Sequence, residues 1–228
     1  SLKLIWSQIN LFCLIMLLLA VISYFFGSFN GAIIISKYIL HDDIRNHGSG
    51  NGGLTNFYRT FGGPLTAVVI LTDMLKGVIT VIIAAFIAQS LPMPEGANPE
   101  LVRLIIPPIK FFGALFCMLG HMFPYMFGFK GGKGILTGGA MIIFVDWRVA
   151  IVVWGGFLIL AILTRYVSLG SISVGFSLPI STGILFRDPV MLFFGAVVGG
   201  LLIFMHRSNI GRLLSGTESK FSFRKKKT

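Results

Sequence analysis

Apolar residues gather into seven runs, at 11–36, 64–88, 101–119, 134–145, 149–164, 170–186 and 190–205. A helix that crosses the hydrocarbon of a bilayer needs about 20 residues. The first three runs meet that length, and the last three meet it with some overlap into flanking residues. The fourth is the exception. Gly134 to Val145 supplies only about 18 Å of helix at about 1.5 Å per residue, so it reads as a short crossing in a thinned or water-filled region, or as a re-entrant segment. The polar stretches favour a crossing. Glycine-rich segments at 41–60, 121–133 and 164–171 and the tail 206–228 follow runs one, three, five and seven, whereas the even gaps are a Pro-rich loop (89–100) and the tight turns Asp146–Arg148 and Arg187–Asp188. Seven crossings put every polar segment on one side. The expected fold is therefore all-α: a polytopic integral membrane protein with about seven transmembrane helices, one membrane-embedded domain over 1–228 with a basic tail at 206–228.

Composition agrees. Hydrophobic residues make up 55% and charged residues 12% of the 228 positions, against about 25% charged in a soluble domain, and the mean hydropathy is +0.87. The net charge of +11 is concentrated beside the runs, which suits anionic lipid headgroups or phosphorylated substrates. No RNA or DNA motif is present, so nucleic acid is set aside as a partner. Of the 19 lysines and arginines, thirteen fall on the side of the polar segments, seven of them in the tail, while Lys3, Arg103, Arg148 and Arg187 fall opposite. The excess of positive charge on cytoplasmic segments then places the C-terminus in the cytoplasm and the N-terminus outside. Cys13 and Cys117 both lie inside apolar runs, as lipid-facing or packing residues and not as a disulfide or metal pair. The first run is too long, and too polar at its end, for a cleaved signal peptide.

The segment Asp43–Arg59 is the densest in candidate chemistry. Its glycines allow successive backbone N–H groups to turn toward one anion. Ser49, Asn51, Thr55 and Asn56 add side-chain donors, and Arg45 and Arg59 can grip phosphate with paired N–H groups. Residues 48–53 satisfy G-x-G-x-x-G, but no buried strand precedes them, so a dinucleotide fold is excluded. A second segment runs from Gly120-His121 to Phe129-Lys130-Gly131-Gly132-Lys133-Gly134. It is not an ATPase loop: Phe127 stands where the first glycine is required and Gly134 where the Mg²⁺-binding hydroxyl belongs. Two lysines on a glycine hinge remain. Lys130 fits either a snorkelling or a substrate-binding role, and Lys133, between glycines at the start of run four, faces an anion more readily. His121, at a helix end, is either a structural hydrogen-bonder or a functional group. In the turn Thr164–Ser171, Ser168 is a candidate ligand or a helix cap. His206 and Asn209, at i and i+3, share one face if run seven continues straight. Within run two, Asp73 and Lys76 read as a mutual ion pair, since lone charges at that depth are costly.

These segments, with Asp73-Met74-Leu75-Lys76-Gly77 and the tail His206–Glu218, closely resemble the bacterial acyl-phosphate-dependent glycerol-3-phosphate acyltransferases, the PlsY family. The likeness runs in matching order from Gly27-Ser28 to about Phe221; Leu54, Ile135-Leu136 and a longish 89–100 loop depart from it without removing a polar site residue. The resemblance implies a multi-pass enzyme of the bacterial cytoplasmic (inner) membrane with its site facing the cytoplasm. It would transfer an acyl group from acyl-phosphate to the 1-hydroxyl of sn-glycerol-3-phosphate, giving lysophosphatidic acid and phosphate for phospholipid synthesis. Ser49, Gly50, Asn51, Thr55, Asn56 and Arg59 would cradle phosphate, with Lys130 beside them. Arg45, Lys133, Ser168, His206 and Asn209 would complete the two substrate pockets, and His121 would orient the donor or take the hydroxyl proton, a task a substrate phosphate could equally perform. Membrane lipids are the only other expected partners, with no obligate protein partner. The glycine loop lacks the carboxylates a Mg²⁺ site wants and no paired Cys or His spacing exists, so no metal and no cofactor are expected.

Two rivals remain. An acyltransferase using acyl-carrier protein or acyl-CoA would commonly carry His-x4-Asp; the residues five positions after His41, His47, His121 and His206 are Asn46, Gly52, Met126 and Gly211. A transporter of organic phosphates would suit broken helices and intramembrane charge, but it wants a midplane site, and the chain has no internal repeat.

Overall fold

The computed structural model describes residues 2–91 and 98–221. The middle of the Pro-rich loop and the Arg224–Lys227 cluster lie outside the described residues. All regular elements within them are helical: α1 Leu2–Ser28, α2 Gly31–Ile34, α3 Leu54–Thr60, α4 Leu65–Ser90, α5 Pro99–Met122, α6 Ile135–Val145, α7 Trp147–Thr164, α8 Val167–Phe186, α9 Pro189–Met205 and α10 Arg207–Leu214. They form two compact units, Ser1–Val145 and Asp146–Thr228.

Five segments are long and apolar enough to cross a bilayer, and α9 with α10 makes a sixth if that pair, bent by 57°, counts as one. With 11 residues, α6 reaches about 16 Å against the ~30 Å of the hydrocarbon; a count of seven would require it to cross. Leu17, Phe86, Ile162 and Leu163 are each at least 60% exposed. Such surfaces would aggregate in water and are the ordinary condition of a helix facing acyl chains.

In the first unit α5 packs between α1 and α4, and α4 also carries α6. Glycine decides how closely the helices approach: a Cβ at Gly27 would collide with the Cys117 carbonyl, and one at Gly120 with the Tyr24 carbonyl. The α1–α5 backbones thus touch directly, the close packing on which helices in lipid rely. Gly120→Ala should force them apart and destabilise the protein by about 1–3 kcal/mol, read as a lowered thermal midpoint in detergent.

The first apolar run is not one helix, as its hydropathy suggested. It breaks at Phe29-Asn30, where Asn30 adopts φ −93°, ψ 108° and its side chain accepts a hydrogen bond from the Ile33 N–H. A polar cap inside an apolar run offers the backbone an alternative partner, and the helix restarts from it. Beyond α2 the chain passes through a π-helical turn, Ile35–Ile39, before entering the polar loop.

In the second unit α8 lies between α7 and α9. Gly195 and Gly199, four apart on α9, meet Pro179 and the Gly175 carbonyl of α8, a small-residue seam of the kind that joins membrane helices. Asp146 and Asp188 cap the starts of α7 and α9, and the tight Arg187-Asp188 turn holds Arg187 at φ 52°. Run seven does not continue straight, as the pairing of His206 with Asn209 assumed. It bends at His206 (φ −98°, ψ 8°), whose N–H is shared between the carbonyls of Leu202 and Ile203.

Candidate active site

The polar end of the first unit is built from three segments: the break around Asn30, the loop 41–53 leading into α3, and the hairpin 123–134 between α5 and α6. Asn30 Nδ2 donates to the Gly52 carbonyl at 2.8 Å. The Gly52 N–H donates to the Gly131 carbonyl at 3.1 Å, and the N–H groups of Gly131 and Gly132 donate to the carbonyls of Met122 and His121 at 3.1 and 3.0 Å. Asn51 Nδ2 reaches the Gly131 carbonyl at 3.4 Å. The two expected anion-binding segments are thus joined by the Gly52–Gly131 backbone hydrogen bond and the Asn51 side chain, and the closeness of that approach explains why glycine stands there. A Cβ at Gly52 would press into Ile33, and one at Gly131 would collide with the His121 carbonyl.

Within the loop, Asn56 is the hub. Buried at 6% exposure, its Nδ2 donates to the carbonyls of Ile44, His47 and Asn51 at 3.2, 3.0 and 3.0 Å, and its Oδ1 accepts from the Ser49 N–H at 3.1 Å. Around it Gly48 and Gly50 take φ of 55° and 68°, which only glycine adopts at little cost. The expected nest of N–H groups is therefore largely closed upon itself. The N–H of Ser49 goes to Asn56, that of Gly50 to the His47 carbonyl and that of Gly52 to Gly131; what remains at the surface is side-chain chemistry.

Arg45 differs from expectation in the same way. Its guanidinium pairs with Asp43, Nη2 to Oδ2 at 2.7 Å and Nε to Oδ1 at 3.0 Å, and its Nη1 donates to the Phe127 carbonyl at 2.6 Å. It staples the loop to the hairpin. The hydrogen bond from Arg45, more than the partial burial that opposes it, holds the Asp43 carboxyl below its usual pKa, and Asp43 raises that of Arg45 in turn. Ser49, Gly50, Arg59 and Lys130 are exposed, and Asn51, Thr55 and Lys133 are half-buried. Lys133 stands between Gly132, fixed to His121, and Gly134, at φ 82°, immediately before α6 begins.

His121 does not face the loop surface. It is 3% exposed, and its Nδ1 lies 2.9 Å from Lys76 Nζ, which also bonds Asp73 Oδ1 at 2.8 Å. The expected Asp73–Lys76 ion pair is present, buried, with His121 as a third member. Asn30 escaped the sequence reading altogether; its signal was an amide side chain directly before a glycine in an otherwise apolar run.

In the second unit Ser168 lies on the first turn of α8, 6% exposed, with its hydroxyl beside Glu218. His206 Nδ1 donates to the Leu202 carbonyl at 2.8 Å, so the neutral ring keeps its basic lone pair on Nε2. Asn209 Nδ2 donates to Glu218 Oε1 at 2.8 Å, and Arg212 Nε to Oε2 at 2.6 Å. Burial pushes the Glu218 pKa up, but Asn209, the nearby Ser168 hydroxyl and Arg212 together pull it below the usual value. The tail returns to the turn before α8, where the Phe221 N–H bonds the Arg165 carbonyl at 2.8 Å. Glu218 was not among the expected site residues, although a solitary acid in a basic tail, six positions after Arg212, was its signature. No group of three or more His, Cys, Asp or Glu side chains suited to a metal ion occurs among the described residues.

An all-helical, multi-pass membrane protein whose glycine-knit loops present lysine, arginine and amide side chains defines the class as a membrane-embedded enzyme or carrier of phosphorylated molecules. Comparison with known proteins decides between these. Residues 17–216 match the family model described as glycerol-3-phosphate acyltransferase, and the chain belongs to that family. It is 37% identical over 203 residues to the glycerol-3-phosphate acyltransferase of Thermoanaerobacter pseudethanolicus, covering 89% of this chain and 94% of that one. The Fusobacterium nucleatum enzyme is 34% identical over 203 residues, covering 89% and 96%. A crystal structure of PlsY, an integral membrane glycerol 3-phosphate acyltransferase in its glycerol 3-phosphate form, superposes with a TM-score of 0.77 at 34% identity over 91% of this chain and 96% of that one. Its lysophosphatidic acid form gives 0.73 at 33%, over 91% and 95%.

Proposed function

We propose that the chain transfers an acyl group from acyl-phosphate to the 1-hydroxyl of sn-glycerol-3-phosphate, at a site facing the cytoplasm in the bacterial cytoplasmic membrane. The acceptor follows from the family and from the glycerol 3-phosphate and lysophosphatidic acid forms of the related PlsY. The donor rests on the resemblance of the loop motifs, and one observation on this chain fits any donor that arrives already activated. Neither cysteine is placed to carry an acyl group at the loops: Cys117 is fully buried where α5 meets α1, and Cys13 is exposed on the apolar stretch of α1. A donor that arrives already activated needs no thioester on the enzyme. The 1-hydroxyl oxygen attacks the acyl carbonyl carbon, the bond from that carbon to the phosphate oxygen breaks, and phosphate departs with the electron pair.

The protein's task is then to hold two anionic molecules together and receive one proton. Lys133, Asn51, Thr55, Ser49, Arg59 and Lys130 serve the phosphates in the first unit, with Asn56 and Arg45 holding the loop in shape and Gly50, its N–H taken by the His47 carbonyl, turning it. Within the second unit, taken by itself, Ser168, His206 and Asn209 are the residues assigned to substrate. His206 carries its lone pair on Nε2 and can take the hydroxyl proton; a substrate phosphate is the other acceptor. His121 is turned inward onto Lys76, an arrangement that supports His206 or a substrate phosphate over it as the proton acceptor. No metal or cofactor enters the scheme.

Purified protein in detergent, supplied with acyl-phosphate and glycerol-3-phosphate, should release phosphate only when both are present. Acylation of glycerol-3-phosphate from acyl-CoA, without acyl-phosphate, would refute the donor. Phosphate-independent uptake of glycerol-3-phosphate into proteoliposomes would favour a carrier.

A further inference from the structure

The buried charges of α4 take no part in this chemistry, yet every polar segment of the first unit leads back to them. Lys76 Nζ has three N–H bonds and finds three acceptors: the Phe29 carbonyl at 2.7 Å, Asp73 Oδ1 at 2.8 Å and His121 Nδ1 at 2.9 Å. An ammonium only donates, so His121 must accept at Nδ1 and carry its hydrogen on Nε2. Asp73 Oδ1 also accepts the Gly31 N–H at 3.1 Å. The carbonyl before Asn30 and the N–H after it are therefore both pinned to α4, and Asn30 holds the Gly52 carbonyl. On the other side, the His121 carbonyl accepts the Gly132 N–H, and its ring lies against Gly132 so closely that a Cβ there would collide with Nε2. The hydrogen bond from Gly52 to Gly131 completes a ring: Lys76, Phe29–Asn30, Gly52, Gly131–Gly132, His121 and Lys76 again. Asn51 and Lys133 are the immediate neighbours of Gly52 and Gly132 on that ring.

We propose that Asp73, Lys76 and His121 form a buried positioning element that fixes where Asn51 and Lys133 stand, and hence the geometry of the phosphate site. The proposal rests on the reading of these loops as the phosphate site. Stability alone does not account for the cluster, because replacing a buried ion pair by apolar residues of similar size is often neutral or stabilising. What apolar residues cannot replace is the set of directional hydrogen bonds to Phe29, Gly31 and His121.

The double variant Asp73→Leu/Lys76→Met tests this. It should still fold, with a thermal midpoint lowered by the buried groups of Phe29, Gly31 and His121 left without partners, while kcat/KM for glycerol-3-phosphate falls about 10²-fold, mostly through KM. Hydrogen exchange should quicken at the amides of Gly31, Gly52, Gly131 and Gly132, with the amides of α4 still protected. Wild-type kinetics with unchanged exchange at these glycines would overturn the proposal, and so would faster exchange spread evenly over α1, α4 and α5. Should the double variant not fold, Asp73→Asn keeps the shape of the side chain and must show the same local exchange pattern; its absence counts against the proposal. Arg59→Ala and Lys133→Ala are assayed alongside. Wild-type rates in both would remove the phosphate-site reading, while the exchange data still decide whether the ring exists.

Discussion

Asn56→Asp is expected to abolish turnover while the helices remain folded. The two side chains have the same shape, so packing at this buried position is kept and only the hydrogen-bonding sense changes. In the native loop the amide nitrogen faces three carbonyls, those of Ile44, His47 and Asn51. A carboxylate oxygen there would repel all three. Leaving a buried acceptor without its donor costs about 1–3 kcal/mol, and here several are lost at once inside a segment already held at the positive φ of Gly48 and Gly50. The loop should open, carrying Asn51 and Ser49 out of place. Asn56→Ala, which removes the bonds without adding repulsion, should be impaired less. Comparison of initial rates, with helical content followed by circular dichroism, checks the order. An aspartate variant within threefold of the unaltered rate would mean that the loop owes its shape to something else.

Why Asn56 looked like a ligand in the sequence and turns out to be a hub has a physical reason. Polarity and glycine content say that a segment will turn and will carry donors; they do not say which donors satisfy the segment's own carbonyls first. Residues 41–53 contain many such carbonyls and no regular ladder to satisfy them, so the buried amide of Asn56 is committed to three of them, while Arg45 is committed to Asp43 and to carbonyls of the hairpin. The membrane-level pattern was far more legible. Long apolar runs bounded by capping Asp146 and Asp188 or by glycine turns read as helices in lipid, and their positions agree with α4, α5, α7, α8 and α9 within a few residues at either end. The first run failed because one amide, Asn30, outweighed its hydropathy; the last coincides with α9, but the straight continuation expected beyond it is absent because His206 bends the chain. The Asp73–Lys76 pair was legible from its i, i+3 spacing, but its third partner, His121, comes from another helix 45 positions away, which no local pattern can foretell.

Lys133→Ala should lower kcat/KM about 10²–10³-fold, the range for removing one preorganised charge from a site where charge develops. The lysine is held from both sides: Gly132 is tied to the His121 carbonyl and cannot accept a Cβ, and Gly134 takes φ 82° as α6 begins. The residue is half-buried at that hinge, just before a helix start whose dipole favours an anion, and the proposed site places its charge there. Arg59 is the useful contrast. It is exposed on α3, where water and salt weaken its attraction, so Arg59→Ala should cost closer to tenfold and its effect should shrink as ionic strength rises. The effect of Lys133→Ala should be nearly independent of salt. Measuring both variants at low and high salt separates a cation built into the site from one that gathers substrate toward it. Equal salt sensitivity in the two would show that Lys133 acts from the surface, and that the glycine hinge around it positions something other than this charge.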